Sequence, residues 1–151
     1  MNVYLASDHA GFELKERIRE HLTRRNVPVE DLGTHSAGSV NYAEYGAAAA
    51  ARVSVDPENS RGILVCGSGI GMAMVANKFP GVRAAVCHDE YTARISRSHN
   101  NANVLSLGGR VVSIELGLRL VDIFLDTPFD AGRHAERLSF ISGKVEKNNF
   151  R

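Results

Sequence analysis

Cys66 stands directly ahead of Gly67-Ser68-Gly69-Ile70-Gly71, in a chain of 151 residues whose only other cysteine is Cys87. A glycine turn that opens a helix gathers backbone N–H groups, and these favour negative charge. A thiol beside them is a candidate base or nucleophile, because the same groups favour its thiolate. The plainer alternative is a small buried hydrophobe. Ser68 can donate a hydrogen bond to a substrate oxygen, or simply form the turn. His99 and Asn100 lie in a connection, where a histidine serves as an acid–base group or as an ordinary solvated side chain. Arg133 and Arg137, spaced i and i+4, share one helical face. With Arg110 and His9 they form a candidate phosphate clamp, since guanidinium groups bind phosphate through charge-assisted bonds.

The glycine loop fits none of three common signatures. A dinucleotide fingerprint requires a third glycine where Met72 stands, and a P-loop requires Gly-Lys-Ser/Thr, whereas Lys78 lies far along the helix. A cysteine-dependent phosphatase loop requires arginine at that same position 72. Two separated thiols and six histidines without an H-x-H or HExxH pairing argue against a metal site.

Positioning these groups falls to alternating strands and helices. Val3–Ala6 reads as a strand and Asp8 as the N-cap of a helix over 11–25. In that helix Leu14, Ile18 and Leu22 form the apolar stripe, and Lys15, Glu16, Arg19 and Glu20 the polar face. A strand over 27–32 and an alanine-rich helix over 42–53 follow. Ile63-Leu64-Val65 is a short buried strand leading into Cys66. Its helix is stopped by Pro80-Gly81. Arg83–Cys87 and Asn103–Leu107 are two more strands, the first followed by a helix that Asp89 caps. The helix after the second carries Ile114, Leu118, Val121 and Leu125 on one face and stops at Thr127-Pro128. A last helix starts near Arg133, with Leu138, Ile141 and Val145 on one side. Five strand–helix repeats with short connections imply a parallel sheet covered on both faces, as a single α/β domain over 1–151. Ligands of such folds bind beyond the C-terminal ends of the strands, where Asp8-His9, Gly33-Thr34, Cys66-Gly67-Ser68, Cys87-His88-Asp89 and Gly108-Gly109-Arg110 fall.

Hydrophobic content of 44%, charged content of 23% and a net charge of +1 suit a soluble domain with no nucleic-acid or membrane partner. With so few cysteines, no membrane-length apolar run and no signal peptide, a cytoplasmic location is expected.

Taken together, these segments resemble the ribose-5-phosphate isomerase B family and its galactose-6-phosphate isomerase relatives. The marks are Ser7-Asp8-His9-Ala10-Gly11-Phe12, Asp31-Leu32-Gly33-Thr34, Cys66–Gly71 with Ala76-Asn77-Lys78, and His99-Asn100 through Asn103-Val104. Gly108-Gly109-Arg110 and Arg133-His134 with Arg137 complete them. The resemblance spans essentially the whole chain. It implies a three-layer Rossmann-like fold with strand order 2-1-3-5-4, where a flavodoxin-like chain would have 2-1-3-4-5. It also implies interconversion of D-ribose 5-phosphate and D-ribulose 5-phosphate, in the non-oxidative branch of the pentose phosphate pathway, without metal or organic cofactor. In that reading Asp8 and His99 open the sugar ring, and Cys66 moves a proton between C1 and C2. Ser68 and the N–H groups of Gly67, Gly69, Ile70 and Gly71 hold the developing oxyanion. His9, Arg110, Arg133 and Arg137 grip the phosphate, and Tyr42 and Asn100 line the sugar. Members that lack the cysteine use a glutamate farther along, absent here, which assigns this chain to the thiol branch. The family often has Asp-Tyr-Pro where this chain has Asn41-Tyr42-Ala43. A homodimer, or a dimer of dimers, with sites shared between chains is implied. The competing readings are a hexose 6-phosphate (allose or galactose) isomerase, a non-catalytic phosphosugar-binding module, and a thiol redox protein.

Overall fold

The computed structural model describes residues 1–149. Five strands alternate with helices: β1 (Asn2–Ser7), α1 (Phe12–Arg24), β2 (Val29–Asp31), α2 (Tyr42–Val55), β3 (Ser60–Cys66) and α3 (Ile70–Ala76). β4 (Ala84–Val86), α4 (Glu90–Ser98), β5 (Val104–Gly108), α5 (Ile114–Asp126) and α6 (Arg133–Phe140) follow, and a π-helical turn (Ile141–Val145) extends α6. All strand pairs are parallel and their order is β2-β1-β3-β5-β4. This is the order that the family resemblance implies. β1 leads out to one side and β3 to the other, so the reversal point of the topology lies between them. That is where an open parallel sheet leaves a crevice for ligand.

Alternation along the strands divides the core in two. Val3, Leu5, Ile63, Val65, Leu105 and Leu107 face Leu14, Ile18 and Leu22 of α1 and Leu120, Val121 and Phe124 of α5. Ala6, Leu64, Cys66 and Val104 face Ala49, Ala50 and Val53 of α2 and Met72 and Ala76 of α3. The small side chains of α2 let it lie close to the sheet. Because Cys66 has even parity in β3, its thiol points to the α2–α3 side.

Several boundaries and faces differ from the sequence-based expectation, each for a local reason. Lys15 is fully buried rather than on the polar face of α1. Its ammonium lies 2.8 Å from Glu16 and 2.6 Å from Asp31 at the end of β2, so two carboxylates offset its desolvation. Arg19 and Lys15 together hold the Glu16 carboxyl down at about 2. Gly11, not Asp8, is the N-cap of α1, although the Asp8 carboxylate still accepts the Gly11 N–H at 3.0 Å. α3 ends at Ala76, well ahead of Pro80, and the Asn77 side chain pairs with both backbone groups of Ala84. The buried face of α5 is Gly117, Leu120, Val121 and Phe124, while Leu118 and Leu125 are only half-buried. The Asp89 cap is present, accepting from Thr92 N–H at 2.7 Å. Leu138, Ile141 and Val145 do share a side: with Phe79 and Val82 they line a cavity of about 610 Å³ beside edge strand β4. Among the described residues no helix is long and apolar enough to cross a membrane, and no group of three or more His, Cys, Asp or Glu is arranged to hold a metal ion.

Candidate active site

The last residue of β3, Cys66, is 5% exposed, and the following turn folds back over it. The Gly69 N–H donates to Cys66 Sγ at 3.1 Å. Gly69 has φ +82°, a conformation open to glycine at little cost, and backbone atoms of Leu107 and Ser106 crowd the place of a Cβ. α3 has only seven residues, so its contribution is the orientation of individual N–H groups more than a summed dipole. Of these, the Ile70 N–H donates to Ser68 Oγ at 3.3 Å. The Gly71 and Met72 N–H groups belong to the first turn, where no carbonyl partner exists within the helix. The Ser68 hydroxyl proton remains able to donate outward, because its oxygen is the acceptor in the loop.

Around this turn stand most of the residues singled out above. Asp8 is buried, with its N–H on the Val65 carbonyl and Oδ1 on Gly11. His9 Nδ1 accepts the Val40 N–H at 3.2 Å, which leaves the proton of a neutral ring on Nε2. Tyr42, at the start of α2, lays its ring on Gly71: a Cβ there would stand 2.6 Å from Cε2. Asn41 takes the N-cap of α2 and accepts from Ala43 N–H at 3.0 Å, so the Asn-Tyr-Ala sequence still presents Tyr42 at a capped helix start. Arg110 follows β5, donates its backbone N–H to the Gly67 carbonyl, and extends its guanidinium alongside Gly67.

His99, Asn100, Arg133 and Arg137 are not in this cluster. A helix that follows a parallel strand runs back to the opposite edge of the sheet, and His99 is the C-cap of α4. Cys66 pairs in register with Gly108, the last residue of β5, whereas His99 precedes the first. At about 3.3 Å per residue, the length of β5 alone separates the two groups by about 13 Å or more. At the far edge the His99 ring stacks on His134 of α6, with centroids 4.1 Å apart and planes 14° from parallel. The Asp130 N–H on the Ser98 carbonyl ties the two segments together. Partial burial, then the charges of His99, Arg133 and Arg137, hold the His134 imidazole below its ordinary value. Arg133 and Arg137 are exposed, and neither α6 nor the turn after it contains a buried residue.

Ser106 is a contributor that sequence reasoning did not identify. Fully buried in β5, it donates from Oγ to the Gly69 carbonyl at 2.6 Å and so anchors the turn from below. Its only signal is a hydroxyl within an apolar strand, Val104-Leu105-Ser106-Leu107. The second cysteine takes no part. β5 lies between β3, which ends at Cys66, and β4, which Cys87 follows, so two strand spacings, about 9–10 Å, separate them, beyond disulfide reach. Burial pushes the Cys87 thiol up, away from thiolate.

Known proteins are similar to this chain over nearly its whole length. The family model described as Ribose/Galactose Isomerase matches residues 3–141. Ribose-5-phosphate isomerase B of Escherichia coli (strain K12) is 43% identical over 142 residues, covering 94% of this chain and 95% of that one. The solved ribose-5-phosphate isomerase B of Clostridium thermocellum is 46% identical, with a TM-score of 0.93 over 98% of this chain and 99% of that one. That of Mycoplasma genitalium, with bound ribulose-5-phosphate, is 40% identical, with a TM-score of 0.94 over 97% and 96%. With a family model spanning nearly its whole length and relatives above 40% identity, this chain belongs to the ribose/galactose isomerase family.

Proposed function

We propose that the chain isomerises D-ribose 5-phosphate and D-ribulose 5-phosphate, with Cys66 as the base that moves the proton between C1 and C2. The observation that supports it most is the thiol at the end of β3, facing the Gly69 N–H at 3.1 Å beside Asp8, His9, Tyr42 and Arg110, in a chain of this family. Asp8 and His99 open the furanose by moving the anomeric hydroxyl proton to the ring oxygen. The Cys66 thiolate then takes the proton from C2, and the electron pair forms the C1–C2 double bond of an enediolate, with the negative charge on O1. Free N–H groups of the turn and the Ser68 hydroxyl receive that charge; one such donor commonly contributes about 2.7–4 kcal/mol. The O2 proton passes to O1, the thiol returns its proton to C1, and the O2 electron pair closes the C2 carbonyl, which gives the ketose and restores the thiolate.

The phosphate is held by His9 and Arg110 at the Cys66 end together with Arg133 and Arg137, and Asn100 joins Tyr42 along the sugar. Since one chain holds its two groups at opposite edges, a second copy supplies His99, Asn100, Arg133 and Arg137 to each site. The acting unit is therefore a homodimer or a dimer of dimers. An α6 with no buried residue is available for that contact. Chains carrying only Cys66→Ala mixed with chains carrying only His99→Asn will then regain activity, because mixed dimers contain one intact site. No regain would remove the shared site.

The substrate assignment is tested by metal-free turnover of ribose 5-phosphate, allose 6-phosphate and galactose 6-phosphate side by side. Ribose 5-phosphate is expected to be fastest, in keeping with the retained His99. Faster turnover of a hexose phosphate would replace the substrate, and no turnover of any would leave a binding module.

A further inference from the structure

His88 follows β4 and has no role in the mechanism above. Its Nε2 lies 3.1 Å from the carbonyl oxygen of Ser68. A carbonyl only accepts, so Nε2 carries the proton in this contact. The Ser68 carbonyl and the Gly69 N–H belong to one trans peptide and therefore point in opposite directions. The Gly69 N–H is the group that donates to Cys66 Sγ. The imidazole of His88 and the thiol of Cys66 thus hold the two ends of the same peptide plane.

That plane is a place where the turn has an alternative. Gly69, at φ +82° and ψ −17°, has the backbone of the third residue of a type II turn. Rotation of the peptide before it gives a type I turn, and glycine opposes such rotation little. The rotation would take the N–H away from Sγ and bring a carbonyl oxygen toward it, reversing the dipole that faces the sulfur. Ser106 fixes the next carbonyl, that of Gly69, and does not hold the Ser68–Gly69 plane itself. His88 does, and its bond to the carbonyl polarises the N–H at the other end, since hydrogen bonds in series strengthen one another.

We propose that His88 is a positioning residue, which locks the Ser68–Gly69 peptide with its N–H on Cys66 and so sustains the thiolate. The link to turnover rests on the reading of Cys66 as the base. His88→Leu and His88→Gln have similar bulk and differ in the donor, so the pair separates shape from hydrogen bonding. Two readouts are taken on the full chain: the rate of Cys66 alkylation by iodoacetamide at neutral pH, with Cys87 followed separately by peptide mass, and kcat and KM for ribose 5-phosphate. In His88→Leu both the alkylation rate and kcat are expected to fall about 3–10-fold, the scale of one hydrogen bond, with KM changed less than about twofold. His88→Gln is expected to restore most of both. Unchanged alkylation in His88→Leu, or equal losses in the two variants, would overturn the proposal. Slower alkylation with an unchanged kcat would keep the His88–thiol link and remove Cys66 as the base.

Discussion

Cys66 and Ser106 are 5% and 0% exposed, and the turn between them is fixed by hydrogen bonds from three different strands or their extensions. Arg133 and Arg137, at the other edge of the sheet, are exposed on a helix that buries none of its residues. The two groups belong to one proposed reaction, yet they are built oppositely. Proton transfer from carbon requires a base and oxyanion donors held to a fraction of an ångström, which buried, mutually bonded groups provide. A phosphate grip tolerates more play, because charge acts over distance and long guanidinium arms adapt. The difference assigns rigidity to the reacting atoms and reach to the handle.

The sharpest way to break this comparison is Cys66→Ala. Loss of a positioned base costs about 10²–10⁴-fold in kcat, while substrate binding stays nearly intact because other residues hold the phosphate. Steady-state kinetics with a separate measurement of substrate Kd will distinguish the two. A large loss of binding with modest loss of kcat would show that Cys66 holds substrate and is not the base.

Arg137→Ala probes the other edge and has the next largest effect. Removing a hydrogen bond to a charged group weakens binding by about 1.5–3 kcal/mol, read as a rise in KM and Kd with a smaller change in kcat. If kcat carried the whole loss, Arg137 would act on the reacting atoms and not as a handle.

How much of this was legible in the sequence depends on the range of the interaction concerned. Ile63-Leu64-Val65 before a glycine turn identifies β3 and the thiol at its end, because strand pattern and turn chemistry are local. The placement of Asp8-His9 and Gly108-Gly109-Arg110 beside it follows from the rule that parallel strands present their C-terminal ends together. Strand order does not follow from periodicity. Exchange of β4 and β5 leaves every stripe unchanged, and only the family resemblance chose between them. Lys15 defeats the pattern because its partner, Asp31, lies on another element. The same holds for Ser106, whose acceptor is 37 residues away. His99 is instructive in a different way. Strand–helix alternation already requires the end of α4 to lie at the opposite edge from Cys66, so the separation of His99 from Cys66 within one chain was contained in the topology.

The smallest expected effect concerns stability and sharpens the contrast between the edges without reference to catalysis. Ser106→Ala removes the donor to the Gly69 carbonyl within a closed part of the core, where water cannot replace it. An unsatisfied buried acceptor costs about 1–3 kcal/mol, which for a domain of this size lowers the unfolding midpoint by about 2–12 °C. Arg133→Ala, on the exposed start of α6, is expected to stay within about 0.5 kcal/mol of the parent. Thermal unfolding of the two variants under identical conditions makes the comparison. Equal midpoints would mean that the hydroxyl of Ser106 adds nothing to the turn over Cys66.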